Sequence, residues 1–108
     1  MSYSLIYVTA PGREAALKLA RILVEGRLVA CANVLDGARS VYWWEGKVQE
    51  ANEALMIAKT PSVDVSAVIG KIVEIHDYSC PCVVALPIAE GHPAFLDWIG
   101  AETAKTPG

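Results

Sequence analysis

Residues 38–60 read ARSVYWWEGKVQEANEALMIAKT, and this stretch decides the fold. The part that ends at Trp44 is rich in β-branched and aromatic residues, which favours a strand. Glu45 and Gly46 then form a tight-turn signal, since glycine readily adopts the positive φ angle that a short hairpin needs. The chain returns from Lys47 as a second long strand that reaches about Thr60. The sequence therefore predicts an extended β-hairpin in the middle of the chain.

The segment before the hairpin contains one strand, one helix and the start of another strand. Residues 4–9 are typical of a strand, and the apolar positions within residues 13–25 recur at the spacing of three and four that predicts a helix. Gly26 is placed to end this helix in a left-handed conformation. Residues 29–35 then predict a second strand that continues into the hairpin after Asp36 and Gly37.

The segment after the hairpin repeats the alternation. A second amphipathic helix is predicted from Ser62 to Ile75 or His76, a core strand over 83–86 and a short helix over 94–101, whereas residues 103–108 are typical of a frayed tail. The order is β-α-β-β-α-β with a C-terminal helix. This order predicts an α+β, ferredoxin-like sandwich in which two helices cover one face of a four-stranded antiparallel sheet. We expect residues 1–108 to form a single domain.

Composition and charge argue against several classes of protein. The chain has 108 residues, of which 54% are apolar and 19% charged, and its net charge is −3. The basic residues are scattered, which argues against a nucleic-acid binder. No apolar run is long enough for a membrane helix, and no signal peptide is visible, so we expect a cytoplasmic protein without a membrane partner. The odd count of three cysteines favours free thiols.

Three predicted strands contain unbroken apolar runs, at residues 5–8, 55–58 and 83–86. A sheet that is covered on one side normally alternates apolar and polar residues. Both faces of this sheet are therefore apolar, and two helices cover only one of them. Because a bare apolar face of this size favours association, the pattern predicts an oligomer.

The segment HDYSCPC at residues 76–82 carries most of the chemistry-bearing side chains. Imidazole and thiol ligands suit copper and zinc, so His76, Cys80 and Cys82 are candidate metal ligands. The structural alternative makes His76 a histidine that caps a helix. In the same alternative Cys82 begins a buried strand as a small apolar residue, and this reading of the cysteines is favoured. No nucleophile with a matching base, phosphate loop or carboxylate cluster is visible, so we expect no enzyme activity.

Several stretches resemble one known family and follow each other in its order. These are LVEGRLVACANV at 23–34, SVYWWEGKV at 40–48, His76-Asp77-Tyr78 with Pro81, and LDWI at 96–99. They are similar to the CutA family of divalent-cation tolerance proteins. The resemblance implies a ferredoxin-like fold, a homotrimer and a role in tolerance of divalent metals, chiefly copper, with no established reaction and no tightly bound cofactor.

The resemblance also implies two kinds of site. His76 matches the family's histidine and is the first candidate for a metal ligand, with Cys80 and Cys82 as optional sulfur donors. The CutA trimer is similar to that of PII-type signalling proteins, which bind small ligands between subunits. The alternative function is therefore a PII-like module whose inter-subunit cleft contains Trp44, Glu45, Lys59 and Tyr78. The sequence contains no motif for a protein partner.

Overall fold

The computed structural model describes residues 1–104, and its elements follow the predicted order. They are β1 (Tyr3–Ala10), α1 (Arg13–Glu25), β2 (Cys31–Trp44), β3 (Lys47–Pro61), α2 (Val65–Ile75), β4 (Val83–Pro87) and α3 (Pro93–Glu102). A short 3-10 turn at Ser62–Asp64 leads into α2. The predicted α+β class is confirmed. No helix within residues 1–104 is long and apolar enough to cross a membrane.

The four strands form one antiparallel sheet in the order β2-β3-β1-β4. Tyr7 of β1 lies opposite Ile57 of β3 on one side and Val84 of β4 on the other. The two central strands are therefore β3 and β1, which are far apart in sequence. The order is that of the ferredoxin-like sandwich, as predicted.

Helices α1 and α2 cover one face of the sheet and form the main core with it. Ile6, Val8 and Met56 are fully buried on the strands, and Leu23 of α1 and Ile72 of α2 are fully buried opposite them. Alternate residues of a strand point to opposite faces, which explains why Ile6 and Val8 enter this core. Each of these side chains contributes about 2–3 kcal/mol by leaving water.

The other face of the sheet, which we call the open face, is apolar and partly bare. Leu35, Val84 and Leu86 lie on it and remain 48%, 49% and 48% exposed. The register places Leu86 opposite Leu5 and Val84 opposite Tyr7, so the apolar side chains form a continuous row. The unbroken apolar runs of the sequence are thus divided between the helix-covered core and the open face.

The hairpin of β2 and β3 extends beyond the sandwich and makes the molecule about 50 Å long. A bulge between Leu35 and Ala38 bends β2, and Gly37 takes a φ angle of 89° there. Both residues of the tight turn are left-handed, with φ angles of 51° at Glu45 and 79° at Gly46. The predicted positive φ of Gly46 is confirmed. Glu45 shares it because a two-residue turn between twisted strands needs it at both positions.

The prediction for the end of α1 is wrong by one residue. Gly26 has a φ angle of −81°, and its amide still donates to the Ile22 carbonyl at 3.0 Å. The left-handed residue is Arg27, with a φ angle of 58°. Its guanidinium donates to the backbone carbonyl of Glu102 at 2.9 Å and to the carboxylate at 3.0 Å. A side chain from the far end of the chain thus stabilises this helix end.

The predicted frayed tail is wrong at its first residue. Thr103 is only 4% exposed, and its hydroxyl donates to the Ile99 carbonyl at 2.8 Å. Ile99 packs with Tyr3 and Ala30 in a second, smaller core. The end of α3 is therefore fixed by packing that local composition does not reveal. Residues 105–108 of the predicted tail lie outside the described residues.

Candidate functional site

A cavity of about 590 Å³ lies on the open face, between the base of the hairpin and the loop that follows α2. Its walls come from β1, β2, β3 and this loop. The residues that line it are Thr9, Ser40, Tyr42, Trp44, Glu53, Asp77, Tyr78, Ser79, Cys80 and Cys82. Its volume lies within the range of small-molecule sites. We call it the hairpin cavity.

Strand β2 supplies one wall of the hairpin cavity. Ser40, Tyr42 and Trp44 are two residues apart, so their side chains lie on the same side of the strand. Trp43 lies between them, does not line the cavity and is 75% exposed. The consecutive aromatic residues therefore have different roles, with Tyr42 and Trp44 facing the cavity.

A buried carboxylate of β3 is bound to the loop at the base of the hairpin cavity. Glu53 is only 7% exposed and accepts a hydrogen bond of 2.6 Å from the Tyr78 hydroxyl. The pKa of Tyr78 is raised above its ordinary value. Desolvation is the largest cause, and the hydrogen bond to Glu53 and the negative charge of Glu53 follow. Tyr42 and Asp77 raise this pKa further. Tyr78 is therefore a neutral hydroxyl donor at neutral pH.

His76 ends α2 and fixes the loop to β1. Its Nδ1 accepts the backbone N–H of Tyr78 at 3.0 Å, and its Nε2 lies 2.7 Å from the Thr9 carbonyl oxygen. Because Nδ1 is an acceptor here, Nε2 carries the proton and donates to Thr9. The ring also lies 4.8 Å from the Tyr78 ring. His76 does not line the hairpin cavity, and both of its nitrogens are already hydrogen-bonded.

The two thiols of the CPC segment lie at the hairpin cavity. Cys80 and Cys82 are exposed and line it. The prediction that Cys82 starts a buried strand is wrong for the single chain, because β4 begins at Val83 and Cys82 precedes it at the cavity wall. Within residues 1–104 no three side chains of His, Cys, Asp or Glu gather into a metal-binding group. The structure thus brings the two thiols to one cavity without His76.

The predicted cleft residues separate into two groups within one chain. Trp44 and Tyr78 both line the hairpin cavity, whereas Glu45 and Lys59 do not. Lys59 lies near the far end of β3, where its Nζ donates to the Asn33 side chain at 2.8 Å. Six positions of strand separate Lys59 from Glu53 of the cavity wall, which corresponds to roughly 20 Å. Lys59 could therefore join this cavity only from another subunit.

The sequence analysis missed Glu53 and Tyr42 as residues of the site. Glu53 precedes the apolar run of β3, and its position in the sequence gives little indication of a functional site. Its burial depends on the loop after α2, which the local sequence does not reveal. Tyr42 was not singled out from the strand, although strand alternation already places it beside Trp44.

The sheet order, the helix-covered face and the cavity at the hairpin base define a ferredoxin-like α+β protein with an open ligand-sized cavity. Residues 4–102 match the family model described as CutA1 divalent ion tolerance protein. The chain belongs to this family, as the resemblance indicated. The family is described by ion tolerance, and its description names no reaction.

Similar proteins come from distant organisms. The divalent-cation tolerance protein CutA of Archaeoglobus fulgidus is 42% identical over 97 residues, which cover 90% of this chain and 94% of that protein. The solved structure of a periplasmic divalent cation tolerance protein CutA from the same organism has a TM-score of 0.91 at 40% identity, covering 94% of this chain and 99% of that chain. The chloroplastic protein CutA 1 of Oryza sativa is 41% identical over 94% of this chain, which spans only 57% of that protein.

Proposed function

We propose that this protein acts in tolerance of divalent metal ions, as a cytoplasmic homotrimer that binds copper or a related ion weakly and catalyses no reaction. The observation that carries the proposal is the family match over residues 4–102. Three unpaired cysteines support a reducing compartment. Relatives are called periplasmic and chloroplastic, so the compartment needs its own test. Fractionation of cells that produce the protein tests it, and recovery outside the cytoplasm would contradict this part.

The open face supports the proposed trimer. Val84 and Leu86 are half-exposed there, and a continuous apolar surface is stabilised when another copy covers it. Light scattering coupled to size exclusion should give three times the chain mass. Leu86→Lys should lower that mass, whereas Val63→Lys is the control, because Val63 is 82% exposed outside the sheet. A wild-type mass of one chain would reject the trimer.

Metal binding is proposed at His76 with Cys80 and Cys82 as sulfur donors. The exposed thiols suit soft ions such as Cu(I), and a thiolate pair needs few further ligands. A metal at His76 must replace one of two existing hydrogen bonds, which agrees with weak binding. Calorimetry with Cu(I), Cu(II) and Zn(II) tests this proposal. Cys80→Ser with Cys82→Ser, and separately His76→Ala, should weaken binding, while Cys31→Ser should not.

The metal proposal is rejected if wild-type protein produces no binding heat with any of the three ions in soluble form. It is also rejected if the variants at His76, Cys80 and Cys82 bind as tightly as wild type. The second outcome would mean that the ion binds elsewhere on the surface.

A PII-like module is the second candidate, and the hairpin cavity is the observation that favours it. Trp44 and Tyr78 line a cavity large enough for a small ligand. In this proposal Glu45 and Lys59 reach the same cleft from a neighbouring subunit. A thermal-shift screen with nucleotides and small anions tests it, since a ligand of the folded state raises the melting temperature. The rise should disappear in Lys59→Ala, and no rise with any compound would argue against this candidate.

A further inference from the structure

We propose that the hairpin cavity binds an organic cation, such as an alkylammonium group, between aromatic rings and a buried carboxylate. The proposal rests on the hairpin cavity being a ligand site, as in the second candidate above, but it assigns a cationic ligand in place of the nucleotides and anions screened there. It does not rest on metal binding, because the groups that carry it are Glu53, Trp44 and Tyr42, although Cys80 and Cys82 line the same cavity.

The charges around the hairpin cavity favour a cation. Glu53 and Asp77 are two of its ten lining residues, and none of the ten is lysine or arginine. Glu53 is more than nine-tenths buried, so its charge is poorly screened by water. Desolvation is the main cause of the raised pKa of Tyr78, and the two carboxylates add to it because they oppose a further negative charge beside them. An anion would meet the same repulsion.

The aromatic walls favour an organic cation over a bare ion. Tyr42, Trp44 and Tyr78 supply three rings to one cavity. A cation that lies against an aromatic face is attracted by the negative charge of that face, and tryptophan is the strongest partner. An alkylammonium ion also has apolar methyl or methylene groups that are stabilised by leaving water. The cavity therefore matches both the charge and the apolar surface of such a ligand.

The same cavity is poorly suited to an inorganic divalent ion held by oxygen ligands. Such ions need six or more oxygen donors or retained waters at short distances. No three His, Cys, Asp or Glu side chains within residues 1–104 are gathered in that way. One oxygen of Glu53 already accepts a hydrogen bond from the Tyr78 hydroxyl. An organic cation requires no coordination geometry, so this arrangement does not exclude it.

The test is a titration of the assembled protein with tetramethylammonium chloride, observed through the indole N–H signals in NMR. Three tryptophans provide internal controls. The Trp44 signal should shift and saturate, whereas the Trp43 and Trp98 signals, which belong to residues outside the cavity, should not. Tert-butanol, a neutral molecule of similar size, should bind at least tenfold more weakly. The affinity should fall as salt is added, because the attraction is partly electrostatic.

Matched variants locate the site. Glu53→Gln keeps an acceptor for Tyr78 and removes the charge, and it should weaken binding roughly tenfold. Trp44→Leu should have a similar effect. The controls are Glu50→Gln, a carboxylate on the same strand that pairs with Arg39, and Trp43→Leu, and neither should change the affinity. If Glu53→Gln does not fold, Asp77→Asn in the exposed loop replaces it and should weaken binding severalfold.

The outcomes separate this proposal from the others. Equal binding of tert-butanol, unchanged affinity in Glu53→Gln, or preference for acetate over tetramethylammonium each refutes it. No binding at all, as when a neighbouring subunit fills the cavity, also refutes it. Cation binding is measured without metal ions and metal binding without tetramethylammonium, so failure of metal binding and failure of this proposal are distinguishable.

Discussion

The hydrogen bond between Tyr78 and Glu53 should contribute measurably to stability, and Tyr78→Phe tests this with the loss of one oxygen atom. The bond is 2.6 Å long, and its acceptor is a carboxylate that is 7% exposed. A hydrogen bond to a charged group contributes about 1.5–3 kcal/mol, and the carboxylate would stay buried without this donor. Because the loop itself is partly exposed, water can replace part of the bond. We therefore expect a loss of about 2 kcal/mol in the free energy of unfolding.

The assay is urea denaturation at one fixed protein concentration, with the solution mass checked for each variant, since association changes apparent stability. Tyr42→Phe is the control, because Tyr42 lines the same cavity without contacting Glu53 through its hydroxyl. The double variant with Glu53→Gln completes a mutant cycle and isolates the pair. A loss below about 0.5 kcal/mol in Tyr78→Phe, or a coupling energy near zero, would refute the reasoning.

Three further predictions concern pH, the turn and the core. Because the pKa of Tyr78 is raised in the folded state, its contribution is complete below about pH 10 and declines above it, by up to about 1.4 kcal/mol per pH unit. Urea midpoints from pH 9 to 11 should show a steeper decline in wild type than in Tyr78→Phe, and equal slopes would contradict this. Glu45→Asn should raise stability by roughly 0.5–1 kcal/mol, since asparagine tolerates the left-handed φ angle of 51° and Gly46 already completes the turn; an unchanged or lower melting temperature would count against it. Thr60→Val should cost about 1–2 kcal/mol, because the fully buried hydroxyl donates to the Leu28 carbonyl at 2.8 Å, and wild-type stability in urea would disprove it.

The order of elements was predictable because each element has its own local period. The second strand nevertheless starts at Cys31, although the apolar pattern begins at Val29. Val29 is 1% exposed, so burial outside a strand produces the same pattern as burial within one. The left-handed end of α1, which is at Arg27 and not at Gly26, and the burial of Thr103 were mispredicted for a related reason. Both features depend on contacts with distant parts of the chain, and local composition does not predict such contacts.

The site was predictable only where one element supplies it. Alternation along β2 is enough to place Trp44 beside Tyr42, and the helix end is enough to place Tyr78 in a loop. Glu53 could not be placed at the site from one element alone. Its partner Tyr78 is 25 residues away in sequence, and the β2 bulge sets the strand register beside it. Lys59 was grouped with Trp44 through the resemblance alone. The length of the hairpin separates them within one chain.

His76 illustrates why residue type alone does not identify a ligand. Its two hydrogen bonds join β1 to the loop that carries Tyr78, Cys80 and Cys82, so His76→Ala should displace all three. Weaker metal binding in that variant would follow from either role. The two roles differ in the Tyr78 amide N–H, which donates to Nδ1 in the structure. Coordination at Nδ1 would release this amide and abolish its protection from hydrogen exchange. Coordination at Nε2 would instead break the hydrogen bond to the Thr9 carbonyl. A histidine that only positions the thiols would keep both hydrogen bonds while Cu(I) binds at Cys80 and Cys82.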